Sequence, residues 1–457
     1  LSLQRRVTPG AQPINKEPIL MRTSAKGVAL LTGLTLALAA CNSAATPANN
    51  AAGSSTTTTG AADPASVKGE LTWWDTSDAT NEAPAFKALI ADFNKTYPNV
   101  KINYQSVPFG EAQNKFKTAA AAKSGAPDII RAEVAWVSEF ASLGYLYDLD
   151  GTDLAADKGD FLTAPLGSTM FNGKMYGVPQ VTDSLALMYN KALLAKAGIT
   201  AAPKTWDELK AAAATIKEKA GVDGVYLNPG GYFMLPFIYG EGGDLIDATA
   251  KKIVVNSAAA VKGAGIPAEL LKAPGFTKPP ATDAYGAIMD AFKAGKVAMI
   301  INGPWELNNI KGAAGFGGLE NLGVAPVPAG SVKAGAPVGG HDYAVWSGMA
   351  QDKAAAAIAF IKFMSSADSQ AKLADKLGLL PTRKSAYDKV TNPIIGQFKP
   401  VMEVAVERAW VPEGGKLFGP LDEAATKIYV QGVAAKDAMD AVANKYKTEA
   451  VPSYSLG

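Results

Sequence analysis

Histidine and cysteine are almost absent from this chain of 457 residues, which has one of each. That excludes Cys₂His₂ and His₃ zinc sites, an HExxH helix, CxxC redox chemistry and intrachain disulfides. A GK[ST] phosphate loop and a GxSxG nucleophile elbow are also missing. Net charge is small, with 44 Lys and Arg against 42 Asp and Glu, so no basic field marks the chain for nucleic acid. No cofactor or metal is expected. What the chain has is apolar bulk, 48% hydrophobic with 19% charged residues, enough for a sizeable core.

The first long apolar run is short for a membrane span. Val28 to Ala40 reads VALLTGLTLALAA, and thirteen helical residues reach about 20 Å against a hydrocarbon core of about 30 Å. Arg22 and Lys26 precede it and the sole cysteine, Cys41, follows it. A basic start, an apolar centre and small residues at the end read as an export signal. Leu38-Ala39-Ala40-Cys41 resembles the bacterial lipoprotein box, which implies lipidation of Cys41 and an anchor on the outer face of a membrane. Met21 is the expected start, with 1–20 an extension outside the native protein and 21–40 the signal peptide. From Cys41 onward there are 39 basic and 41 acidic residues, so the exported part is slightly acidic. Residues 41–68 are small, polar and nearly uncharged; they are expected to form a flexible tether.

Beyond the tether, strand and helix patterns alternate. Glu70–Trp74 is β-prone. Phe86, Leu89, Ile90 and Phe93 share a helical spacing within 84–97, and Val100, Ile102 and Tyr104 alternate with polar residues. Thr205-Trp206-Asp207-Glu208 is a capping box, with Glu208 expected to reach back to the N–H of Thr205 and Gly221 to end the helix. A helix is predicted over 283–294, stopped by Gly295. The wholly apolar Val297–Ile301 reads as a strand buried on both faces, and 352–364 as another helix. The pattern predicts α/β architecture with helices covering parallel sheet. Roughly 390 residues exceed one core, which points to two lobes.

Four stretches carry a resemblance. They are GAPDIIRAE at 125–133, LALMYNKALLAKAGI at 185–199 running into PKTWDEL, FKAGKVAMIINGPW at 292–305, and AIAFIKFMSS at 357–366. Together they resemble extracellular solute-binding protein family 1, the sugar-binding receptors of bacterial ABC importers, and maltose/maltodextrin-binding proteins most of all. The resemblance implies a two-lobed periplasmic-binding-protein fold with a cleft between lobes, lobe one holding 69–181 and 328–384 and lobe two 182–327 and 385–457. It implies a non-enzymatic monomer that captures an oligosaccharide by hinge closure and delivers it to the transmembrane subunits of a permease, held at the membrane through Cys41.

A neutral sugar needs flat rings for its C–H faces and carboxylates for its hydroxyls. The candidate carboxylates are Asp78, in the loop after the first strand; Glu133, at the end of the PDII strand; and Asp183, near the first crossing. Ala79 stands where relatives carry a lysine. The candidate platforms are Trp136, Tyr232, Trp305 and Trp410, with Phe418 competing with Trp410. Gly230 replaces a glutamate found beside the tyrosine in relatives. The sole histidine, His341, lies in a Gly-Gly loop where backbone can approach ligand. Trehalose, sucrose or another oligosaccharide are alternative ligands; a glycerol phosphoester would need a basic cleft. A secreted glycoside hydrolase is the rival class, with two of the loop carboxylates as its catalytic pair.

Overall fold

The structure, a computed structural model, describes residues 63–457. The leader, Cys41 and most of the tether lie outside the described residues. The end of the expected tether is not free chain: Pro64–Ser66 forms a 3₁₀ turn capped by Asp63, and Asn99 Nδ2 donates to the carbonyl of Ala65 at 2.8 Å.

The strand and helix patterns fold where the periodicity places them. Strand β1 is Gly69–Asp75, helix α1 Ala83–Thr96 and strand β2 Val100–Ser106, with β1 and β2 parallel. Helix α2 (Phe109–Ala122), strand β3 (Ile129–Glu133) and helix α3 (Val134–Ser142) follow, and β3 lies parallel to β1. Trp73 on β1 is fully buried and meets Phe86, Tyr104, Tyr343 and Phe360 edge-on, which fastens the helices carrying Phe86 and Phe360 to the sheet.

Strand β4 (Val178–Ser184) still belongs to this first sheet, and β5 (Ala186–Asn190) already belongs to a second. The chain crosses there with only Leu185 between. The second half then adds helix α4 (Trp206–Ala220), strand β6 (Asp223–Tyr226), helix α5 (Gly231–Gly240), helix α6 (Ala258–Leu270), strand β7 (Phe276–Thr277), helix α7 (Ala284–Lys293), strand β8 (Val297–Asn302) and strand β9 (Leu322–Pro326). A second crossing leads to β10 (Val338–Val345) in the first sheet, and a third follows β11 (Leu380–Pro381), after which Gln397 accepts from the β9 amide of Val324 at 3.1 Å.

The result is a six-stranded sheet in the order β11-β4-β10-β3-β1-β2 and a five-stranded sheet in the order β7-β6-β8-β5-β9. Both are mixed rather than parallel: β10 runs antiparallel to β3 and β4, and β5 antiparallel to β8 and β9. Strands that return from the opposite half carry no crossover helix, so nothing imposes parallel pairing on them. This is the α/β, two-lobed periplasmic-binding-protein fold, with the cleft between the halves.

Local chemistry explains the ends of the elements. Thr205 Oγ1 accepts from the Glu208 amide at 3.2 Å, while Glu208 reaches one residue beyond the expected partner, to the amide of Lys204 at 2.7 Å. Gly221 adopts φ 76° and Gly295 φ 69°, left-handed conformations that stop α4 and α7 at little steric cost. β8 is buried along its whole length, as an apolar run between helix layers must be. Among the described residues no helix is long and apolar enough to cross a membrane.

Candidate functional site

The carboxyl ends of β1 and β3, the start of β10 and the loops after β8 and before α5 open into one groove of about 710 Å³. Seven of the eight candidates line it: Asp78, Glu133, Trp136, Asp183, Tyr232, Trp305 and His341.

Trp410 does not. It packs against Gly167 in the first half, and the Arg408 guanidinium sits 5.4 Å from its ring. The segment holding it runs beside the second crossing, where the Val406 amide donates to Ala336 at 2.8 Å; Arg408 on that segment lines the groove and Trp410, two residues on, does not. Phe418, at the start of helix α8 (Phe418–Tyr429), lines the groove instead.

The three carboxylates are placed differently. Asp78 is exposed, and its Oδ1 accepts from the amides of Thr80 and Asn81 at 2.8 and 2.6 Å. Partial burial would raise its pKa, but these donors hold it below the ordinary value. Glu133 is held at both oxygens: Oε2 caps α3 through the Ala135 amide at 2.8 Å, and Oε1 pairs with Arg408. Arg408 also donates from Nε to the Val338 carbonyl at 2.9 Å. Among the described residues the Asp183 side chain has only the Tyr232 hydroxyl, at 3.4 Å. Burial pushes its pKa up to about 7; Arg408 opposes the shift and the Glu133 charge adds to it.

The second half supplies aromatic faces. Tyr232 lies in the first turn of α5, and its hydroxyl is shared between Asp183 and the Pro337 carbonyl. Gly339 makes that meeting possible, because a Cβ there would lie 2.2 Å from Asp183 Oδ1 and 2.6 Å from the Tyr232 hydroxyl. Trp305 follows β8 in a 3₁₀ turn and folds its ring back over Gly303, where a Cβ would lie 1.9 Å from the ring. Its Nε1 donates to the Tyr285 hydroxyl at 2.7 Å, and Tyr285 donates to Glu306 at 2.5 Å. The indole is thus locked at its polar edge while the ring stays half-buried beside the groove.

On the first half, Trp136 is buried to 5% exposure and stacks with Phe109 at 5.2 Å. Phe109 is 50% exposed and meets His341 edge-on at 5.9 Å. Both ring nitrogens of His341 lack a partner among the described residues, and burial with the nearby Arg131 and Arg408 charges holds its pKa well below the usual value, so the ring is neutral. Beneath the groove Arg131 is buried, donates to Gln180 at 2.7 Å and lies within 4 Å of Asp75 and Glu82.

Phe109, Phe233 and Tyr285 line the groove without having been singled out. Phe109 follows the carboxyl end of β2 in Pro108-Phe109-Gly110, as Trp305 follows that of β8, so its place at a strand end was a usable signal. Tyr285 sits on a helix start with no comparable signal. A larger depression of about 1100 Å³ lies elsewhere, between α4 and α6. Its Lys262 and Lys272 are paired with Glu241 and Glu269, and none of the candidates borders it.

The family model for bacterial extracellular solute-binding proteins matches residues 78–371, a span that runs from Asp78 past His341. The chain belongs to this family. Among solved structures, this solute-binding protein is similar to the GacH receptor of Streptomyces glaucescens, whose structures include a complex with acarbose. The identity is 43%, the TM-score 0.80, and the match covers 85% of this chain and 99% of that one. The maltotriose-binding protein of Pyrococcus abyssi is 25% identical over 393 residues, 83% of this chain and 82% of its own. The diacetylchitobiose-binding protein of Streptomyces coelicolor is 31% identical over 309 residues, 65% and 69% of the two chains.

Proposed function

We propose that this solute-binding protein is the receptor of an ABC importer for a maltodextrin-like oligosaccharide, captured in the groove by hinge closure. The observation that carries the reading is the opposition of Trp305, Tyr232 and Phe418 on one side to Asp78, Arg131, Phe109 and Trp136 on the other. Rings take the apolar faces of pyranoses; carboxylates and guanidinium take the hydroxyl rim. A ligand touching both sides is bound best when they are together, and that difference in affinity drives closure.

The tying of Glu133 to Arg408 and of Asp78 to the backbone speaks against the hydrolase alternative, which needs one carboxyl group free to carry a proton and a second free to attack. A calorimetric panel of maltose, maltotriose, trehalose, sucrose, diacetylchitobiose and acarbose tests the reading, with chromatography of each mixture afterwards. One-to-one binding of maltotriose without products is expected. Cleavage, or binding of none of the panel, would overturn it. Acarbose and diacetylchitobiose are included because the similar proteins named above carry them.

The same proposal places the protein at the outer face of the membrane, as a monomer lipidated on Cys41. Cys41→Ser should move it from the membrane to the soluble fraction with sugar affinity unchanged; retention in membranes would refute the anchor.

A further inference from the structure

The two halves touch directly at a point no sugar is needed to bridge. Asn81 stands between β1 and α1 of the six-stranded half. Its Nδ2 donates to the Trp305 carbonyl at 3.1 Å, and its Oδ1 accepts from Asn308 Nδ2 at 2.7 Å. Trp305 and Asn308 both follow β8 of the five-stranded half. The Asp78 side chain aims Asn81 by accepting from its amide at 2.6 Å. Donor and acceptor ends of one amide are therefore both engaged across the gap.

We propose that Asn81 is a latch: it holds a closed population of the ligand-free receptor and so sets sugar affinity without needing to touch sugar. The inference rests on reading the groove as a hinge-closing site and adds the residue that sets its closing equilibrium. Asparagine suits this role because the partner set is one carbonyl and one amide N–H, and a primary amide presents a donor to the first and an acceptor to the second from separate atoms. The contact acts on the platform itself, since the Trp305 carbonyl is held by Asn81 and the Trp305 indole by Tyr285. Closure by this route brings the first half against a ring that is already oriented. When the binding-competent state is a minor one, apparent affinity scales with its population, so losing the latch weakens binding by the factor by which closure becomes rarer.

The test is made without sugar. Spin labels at Glu111→Cys and Glu218→Cys, one exposed site on each half, in a Cys41→Ser background, report the distance distribution by pulsed electron resonance. The parent should show a closed and an open distance. Asn81→Ala should lower the closed-to-open ratio about tenfold, from the loss of two neutral hydrogen bonds. Asn81→Asp is nearly isosteric, keeps the acceptor and sets an anion against the Trp305 carbonyl, so it should lower the ratio as well. Asn308→Ala should have a smaller effect, and adding it to Asn81→Ala should change nothing further, because its partner is already gone. Unchanged distributions in the Asn81 variants, a parent with no closed distance, or additive effects of the two alanines would overturn the latch. A parent that closes without sugar but ignores maltotriose would leave the latch standing and remove the maltodextrin reading.

Discussion

The wall of the groove built on the six-stranded sheet and the wall built on the five-stranded sheet carry different chemistry. The first presents Asp78, Glu82, Arg131 and Glu133, all tied to partners in the protein, with Phe109 and Trp136 at one side. The second presents Tyr232, Phe233, Tyr285, Trp305 and Phe418, rings whose polar edges, at Trp305 and Tyr285, are hydrogen-bonded to neighbours in the same wall. The difference teaches a division of labour. A ring locked at its edge offers an unhydrated face at little entropic cost, whereas charged groups must be held by one another before a neutral ligand arrives. Arg408 joins the two walls, since it sits beside the second crossing, pairs with Glu133 and lies over Tyr232 and Phe418.

That joint should give the largest effect. Arg408→Met leaves Glu133 nearly buried without its cation and should lower unfolding stability by about 3 kcal/mol, read by thermal and denaturant melts. The pair Arg408→Met with Glu133→Leu should recover much of that loss. A single variant as stable as the parent would show that the walls are not joined electrostatically.

Removing a platform sharpens the other side of the contrast. Trp305→Ala should weaken maltotriose binding by about 1–3 kcal/mol, a loss of about fivefold to 150-fold, through the burial of one aromatic face. Calorimetry on a variant with a native melt checks it, and unchanged affinity would take the ring out of the site.

The third test concerns pH. Asp183 titrates near 7 in the fold and near the ordinary carboxylate value when unfolded, so the folded state holds its proton more tightly. Its contribution to stability is full below about pH 4 and is lost as pH rises through about 7. Asp183→Asn should flatten the melting temperature across that window relative to the parent; an identical slope would mean that Asp183 is not the group responsible. The smallest effect is expected from Phe109→Ala, which removes a half-exposed ring from the polar wall and should cost about 0.5–1 kcal/mol of maltotriose affinity. A loss as large as that of Trp305→Ala would erase the contrast between the walls.

Much of this was legible in the sequence because it rests on local rules. The alternation in Val100–Tyr104, the capping box at Thr205 and the apolar run before Trp305 each fix an element and what lies at its end. What escaped depends on contacts distant in the chain. Nothing near Glu133 announces that Arg408, 275 positions on, will neutralise it. Trp410 sits in a loop ahead of Val411-Pro412 and offered itself as a platform, yet it packs against Gly167, 243 positions earlier, and leaves the groove to Phe418. The antiparallel placement of β10 follows from crossings between halves, which no short-range pattern encodes.

The most direct test is a crystal structure of the protein grown with maltotriose. The account predicts sugar rings in the groove with one face on Trp305 and hydroxyls within hydrogen-bond reach of the six-stranded half. Sugar bound outside the groove, or seated on one wall with the other out of reach, would contradict it.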